Sequence, residues 1–101
     1  MEQIEINSFI NEMQNELEGK TVRHVFKSGL HQFIIEGGGR SYFIYLNPSY
    51  FKEEDAADIL NELNKYQVFE TINKSRDPIW LYLSASGLKK VDENFIRTKP
   101  A

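Results

Sequence analysis

The sequence predicts an α+β fold: an antiparallel sheet of about five strands in the order α-β-β-β-α-β-β(-α), with two amphipathic helices packed on one face. Three observations predict it. Thr21–Leu46 holds three short apolar-rich runs, TVRHVFK, LHQFIIE and RSYFIYL, separated by Ser28-Gly29 and Gly37-Gly38-Gly39. Helical periodicity flanks this meander on both sides. Strand-like runs come in groups rather than alternating singly with helices, which argues against a parallel α/β sheet. A length of 101 residues fits one domain, 1–101.

Asn7–Glu18 reads as the first helix. Ile6, Phe9, Ile10, Met13 and Leu17 follow the i, i+3/i+4, i+7 stripe, Asn7 or Ser8 can cap the start, and Gly19 sits where a terminating glycine belongs. Its outer face is Asn and Glu.

The meander follows. Ser28-Gly29 reads as a two-residue hairpin turn and Gly37-Gly38-Gly39 as a three-residue loop. With loops that tight, Lys27 lies opposite Leu30, and Glu36 opposite Arg40. Side chains alternate across strands. One face then carries Val22, His24, Phe26, His31, Phe33, Ile35, Phe43 and Tyr45. The other carries Arg23, Val25, Lys27, Leu30, Gln32, Ile34, Tyr42, Ile44 and Leu46. Both are largely apolar, whereas a sheet with one wet face alternates apolar with polar. A bulge in the glycine loop would exchange the faces of the third strand and leave the two-sided character intact.

Asn47-Pro48-Ser49 ends the third strand. Lys52–Tyr66 is the expected second helix, with Glu53, Glu54 and Asp55 at its positive dipole end and Ala56, Ile59, Leu60 and Leu63 as its buried stripe. Gln67–Ile72 is expected as a strand, Asn73–Pro78 as a turn and Ile79–Ser84 as the last strand. Ser86-Gly87 breaks the chain, Leu88, Val91 and Phe95 suggest a short final helix, and Arg97–Ala101 is expected to fray. The two helices cover one sheet face only.

Hydrophobic content of 41% and charged content of 27% are ordinary for a globular chain. There is no cysteine, which excludes disulfides and thiol chemistry. MEQIEINSF lacks the basic-then-apolar order of a signal peptide, and no run approaches a membrane span, so a cytoplasmic protein without membrane partners is expected. The net charge of −3 is unevenly placed: residues 1–19 carry −5, residues 20–48 carry +3, residues 49–66 carry −3, and the tail from Thr71 carries +3.

No arrangement of residues meets the geometric tests for catalysis, so an enzyme is not expected. His24 and His31 share a face but sit diagonally, with no acidic residue beside them to complete a metal site. The acids Glu53, Glu54, Asp55 and Asp58 read as a solvated helix face. The glycine run precedes a strand rather than a helix, which removes the amide cradle of a phosphate loop. No cofactor is expected.

The stretch ILNELNKYQVFETINKSRDPIWLYLSASGLKKVDENF, Ile59–Phe95, resembles the end of a winged-helix regulator. The resemblance implies a recognition helix at Ile59–Lys65, a wing at Gln67–Ser84, and a counterpart of the family's YxLTxxG turn in Tyr82-Leu83-Ser84-Ala85-Ser86-Gly87. Upstream the chain departs from that family, with a meander where two helices belong, and the helix is acidic where phosphates would lie. The likeness is the shared physics of helix, hairpin and turn. The element order also resembles that of class I type III secretion chaperones, small acidic α+β dimers that bind effector segments. It brings no residue motif, so no residue role is carried over.

The expected function is a small non-enzymatic protein-binding module, an adaptor, chaperone-like or inhibitor protein. Its apolar sheet face would dimerise or dock a partner protein, with a homodimer favoured. Size and acidity are compatible with a phage or mobile-element inhibitor. The candidate partner-binding residues are Arg23, Val25, Gln32, Ile34, Tyr42, Ile44, Trp80 and Tyr82, and Tyr42→Asp or Ile44→Asp is expected to leave a folded, partnerless monomer. The alternative is a nucleic-acid-binding regulator using a basic and aromatic sheet face or the wing-like hairpin. The acidic helices disfavour it.

Overall fold

The computed structural model describes residues 2–98. The chain runs α1 (Gln3–Glu16), β1 (Thr21–Lys27), β2 (Leu30–Gly37), β3 (Arg40–Leu46), α2 (Pro48–Glu53), α3 (Ala56–Lys65), α4 (Val68–Lys74), β4 (Trp80–Ser84), β5 (Gly87–Val91) and α5 (Phe95–Thr98). The strands form one sheet in the order β1-β2-β3-β4-β5. Of the expected fraying tail, residues 99–101 lie outside the described residues.

The α+β class and the five-strand sheet agree with the sequence reading, but the sheet is mixed. β3 and β4 are parallel, while the other neighbours are antiparallel. The cause lies in 67–72, expected as a strand and found as α4. Val68, Phe69 and Ile72 are buried at i, i+1 and i+4, one face of a helix. The β-forming side chains of VFETI lose to that packing. With a helix there, the chain makes one reversal fewer and returns over the sheet before entering β4. Parallel neighbours need such a crossover. The fifth strand is Gly87–Val91, where a helix was expected; the final helix is shorter and begins at Phe95.

Two helices also start differently. α1 begins earlier than Asn7, in a capping box between Glu2 and Glu5. The expected Lys52–Tyr66 helix is two. Asn47 caps α2, accepting from the Ser49 and Tyr50 amides at 3.0 and 3.1 Å with Pro48 in the first turn. Asp55 interrupts the run and caps α3, accepting from the Asp58 amide at 2.8 Å.

The register of β3 decides which side chains face the core. Gly37 pairs with Arg40 as a strand residue, so the second turn is two residues, Gly38-Gly39, with φ of 62° and 77°. It matches Ser28-Gly29, at 55° and 74°. Gly37 is needed for close approach rather than for turning: a Cβ there would meet the Lys20 Cγ at 2.7 Å and the Gly19 carbonyl oxygen at 2.9 Å. The one-residue shift exchanges the faces of β3. Tyr42, Ile44 and Leu46 turn inward, while Phe43 and Tyr45 turn outward.

The core lies between the inner sheet face and the helices. It joins Ile6, Phe9, Met13 and Leu17 of α1 and its cap with Phe33, Ile35, Tyr42, Ile44 and Leu46 of the sheet. Phe51, Ile59, Leu63, Phe69 and Ile72 complete it from the crossover helices. Asn73 clips the two ends together. Its amide donates to the Glu16 carbonyl at 2.9 Å, and its Oδ1 accepts from the Glu18 amide at 3.0 Å.

Candidate functional site

Strand pairing lays the outer sheet face out in rows. One row crosses all five strands as Arg23, Ile34, Phe43, Trp80 and Val91, each directly opposite the next. The adjacent row is Val25, Gln32, Tyr45, Tyr82 and Lys89. The second row is partly roofed by α5. Phe95 lies 5.8 Å from the Tyr45 ring and 5.1 Å from the Tyr82 ring, and Tyr45 is buried.

In the first row Ile34, Phe43, Trp80 and Val91 are all partly exposed. Phe43 and Trp80 stack with ring centroids 5.7 Å apart and planes 3° from parallel. This is the contact geometry of a cross-strand aromatic pair. Arg23 caps one end of the row and is exposed; its guanidinium meets Glu36 at 3.0 Å. An exposed pair of that kind adds little stability.

Of the eight residues expected on the docking face, Arg23, Val25, Gln32, Ile34, Trp80 and Tyr82 lie on the outer face. Gln32 is buried, and its amide donates to the Lys27 carbonyl at 3.1 Å, so it braces the first hairpin. The Tyr82 hydroxyl accepts from the Asn47 side chain at 3.1 Å, tying β4 to the α2 cap. Tyr42 and Ile44 are corrected: both are core residues, 1% and 0% exposed, and the Tyr42 hydroxyl donates to the Ser75 carbonyl at 2.9 Å. Phe43, Tyr45 and Val91 stand on the outer face where these were expected. The signal that finds Phe43 and Tyr45 is the likeness of the two turns; Val91 needs β5, which reads from sequence as part of a helix.

The histidines lie on the inner face at its open end. They are diagonal in register, as expected, but their rings close the gap. His24 Nε2 and His31 Nδ1 are 2.9 Å apart, and Phe51 stacks on His31 at 3.9 Å. Burial, and then the neighbouring His24, push the His31 pKa down to about 4, and burial lowers His24 as well. Among the described residues no three His, Cys, Asp or Glu side chains are grouped to hold a metal ion.

The stretch resembling a wing contains α4, and the hairpin is β4–β5, turning at Ala85-Ser86. The counterpart of the recognition helix lies in α3, which buries Ile59 and Leu63 against the core and carries Asp58, Asn61 and Glu62 on its other side. Glu54, Asp58 and Glu62 border a cleft between α3 and the β4–β5 turn. No helix among the described residues is long and apolar enough to cross a membrane. Comparisons of the chain with protein-family models, with curated proteins and with solved structures find no match.

Proposed function

We propose that this chain is a small non-enzymatic protein-binding module whose outer sheet face docks a second copy of itself. The observation that carries the reading is the row Arg23-Ile34-Phe43-Trp80-Val91: partly exposed, apolar at its centre and continuous across five strands. Helices cover the inner face except at the end that holds Phe26, and Phe95 of α5 lies over the adjacent outer row. An apolar centre with a charged end is the composition of a protein interface, and aromatics and Arg are the residues that anchor one. A twofold axis near Phe43, on the central strand, would lay this strip on its own copy and bury both aromatic stacks at once.

Nucleic acid fits the same face less well. Arg23 already holds Glu36, the net charge is −3, and few cations are left to neutralise phosphates.

Light scattering behind a size-exclusion column tests the reading. The chain should approach twice its 11.8 kDa mass at high loading, and Phe43→Glu should stay folded at the monomer mass. A folded wild-type monomer at every loading would remove the second copy and turn the search to a heterologous partner on the same row. Binding to single-stranded DNA that Arg23→Glu weakens would favour the nucleic-acid reading instead.

A further inference from the structure

We propose that the free edge of β1 binds an extended segment of a partner protein as a sixth strand, with the local pattern apolar-acidic-apolar. An added strand lies in the plane of the sheet, whereas docking at the outer face lies above it, so this inference does not rest on that docking.

β1 ends the sheet and is paired on one side only, by β2. The two-residue turn Ser28-Gly29 makes Lys27 and Leu30 a hydrogen-bonded pair. Alternation then sends the backbone groups of Arg23, Val25 and Lys27 toward β2 and those of Val22, His24 and Phe26 away from it. Gln14 of α1 agrees with that frame: its Oε1 accepts from the Val22 amide at 2.9 Å. This contact closes one end of the edge. Beyond it, the amides of His24 and Phe26 donate to no described residue. Two residues with outward amides and carbonyls are what an added strand pairs with.

Phe26 marks the same edge independently. It is 58% exposed, although its side chain lies on the inner face. With His31, Pro48 and Phe51 it borders a cavity of about 330 Å³ that α2 leaves open. Its contact with His31, 4.7 Å between ring centroids, lies toward β2. An apolar side chain opposite Phe26 on an added strand would cover the ring from the free side. A large exposed aromatic on an unpaired edge is a liability unless something pairs there.

Charge names the occupant. Arg23 and Lys27 flank Val25 on the outer face. An added residue opposite Val25 would sit between them, within diagonal reach of both. Lys27 has no ion pair among the described residues, and Arg23 carries further donors than the Nε that meets Glu36. A carboxylate at that one position, between two apolar residues on the inner side, satisfies the backbone, the aromatic ring and the charge together.

The same charges disfavour a second copy of β1. Pairing His24 of one copy with Phe26 of the other would set Arg23 opposite Lys27 twice, and like charges directly opposite destabilise a pair of strands. The other edge, β5, carries Lys89 and Lys90 and no acid. Neither edge of this chain supplies the segment that β1 fits, so the segment belongs to a different protein.

The test is a titration of the full chain with acetyl-Thr-Val-Glu-Val-Thr-amide and, separately, with acetyl-Thr-Val-Lys-Val-Thr-amide, read by amide chemical shifts and hydrogen exchange. The glutamate peptide should shift the His24 and Phe26 amides saturably and slow their exchange, while the amides of β5 stay unchanged. Lys27→Glu should weaken the glutamate peptide about tenfold and strengthen the lysine peptide. Arg76→Glu, the same charge change at an exposed loop position, should leave affinity within about twofold. Phe26→Thr should weaken the glutamate peptide about tenfold. No saturable change at His24 and Phe26 overturns the site, as does equal affinity of the wild type for the two peptides. Protection of these two amides that grows with protein concentration and needs no peptide would give the edge to a second copy, and overturns the proposal as well. Thermal melts establish that each variant is folded, and Lys27→Glu, at an exposed position beside the turn, keeps the test decisive if Phe26→Thr is destabilised.

Discussion

Neighbouring residues on β3 have opposite fates, and that contrast is testable one side chain at a time. Ile44 is 0% exposed between helices and sheet, whereas Phe43 is partly exposed beside Trp80. Ile44→Asp places an unpaired carboxylate in the core and removes a packed side chain. That should cost about 4 kcal/mol or more, a large share of the roughly 5–15 kcal/mol that holds a domain together. The expected outcome is an unfolded chain by circular dichroism. Phe43→Glu should cost about 1 kcal/mol and keep a cooperative melt. If the two behave alike, the β3 register is not the one described. His31 gives a second residue-scale prediction. Its folded pKa of about 4 lies below its ordinary value of 6.5. Between those values the unfolded chain binds a proton that the folded chain refuses. Stability from this group is therefore full above about pH 6.5 and is lost as pH falls toward 4. The melting temperature of the wild type should drop between pH 7 and 5, and His31→Gln should flatten the slope. Equal slopes in the two proteins would contradict the assignment.

Elements were legible where their pattern was local and obscure where a distant contact chose between alternatives. The stripe Phe9, Met13 and Leu17 and the two-residue turn at Ser28-Gly29 needed only their own neighbourhoods. Gly37 did not. Its role is set by Lys20 and by the Gly19 carbonyl, which reach it only after folding, and nothing in the run Gly37-Gly38-Gly39 distinguishes a spacer from a turn residue. The same holds for α4, whose VFETI sequence favours a strand until Val68, Phe69 and Ile72 find a common core. Asn73 is another case of distant choice, joining the end of α1 to the end of α4 through Glu16 and Glu18. Asn73→Ala should cost about 1–2 kcal/mol, lowering the melting temperature by roughly 4–15 °C. A change within the scatter of the melt would mean that water replaces both bonds without loss. Gly37→Ala should destabilise as well, since the Gly19 carbonyl oxygen at 2.9 Å cannot yield as a flexible side chain does.

For the whole molecule, the two-sided apolar character of the sheet is readable in the sequence, and the observed β3 register preserves it. Exchange of the β3 faces moved Tyr42 and Ile44 inward and brought Phe43 and Tyr45 out, apolar or aromatic in both cases. Six of the eight residues named from sequence lie on the outer face and two in the core, and the centre of that face could not be chosen without the strand pairing. Glu53, Glu54, Asp55 and Asp58 read from sequence as one solvated helix face, but the fold divides them between the end of α2 and the start of α3. Only the fold brings Tyr50 beside Glu62 and Gly87 beside Tyr66. The chain's single tryptophan, Trp80, lies in the proposed docking row and gives a direct probe of it. Acrylamide quenching of Trp80 fluorescence across a dilution series is the decisive measurement. If two copies meet on this face, Trp80 should be shielded and blue-shifted at high concentration, then red-shift and quench more readily on dilution, while Phe43→Glu behaves like the dilute protein throughout. An emission and quenching constant that stay the same across a range in which the mass doubles would place the dimer contact elsewhere.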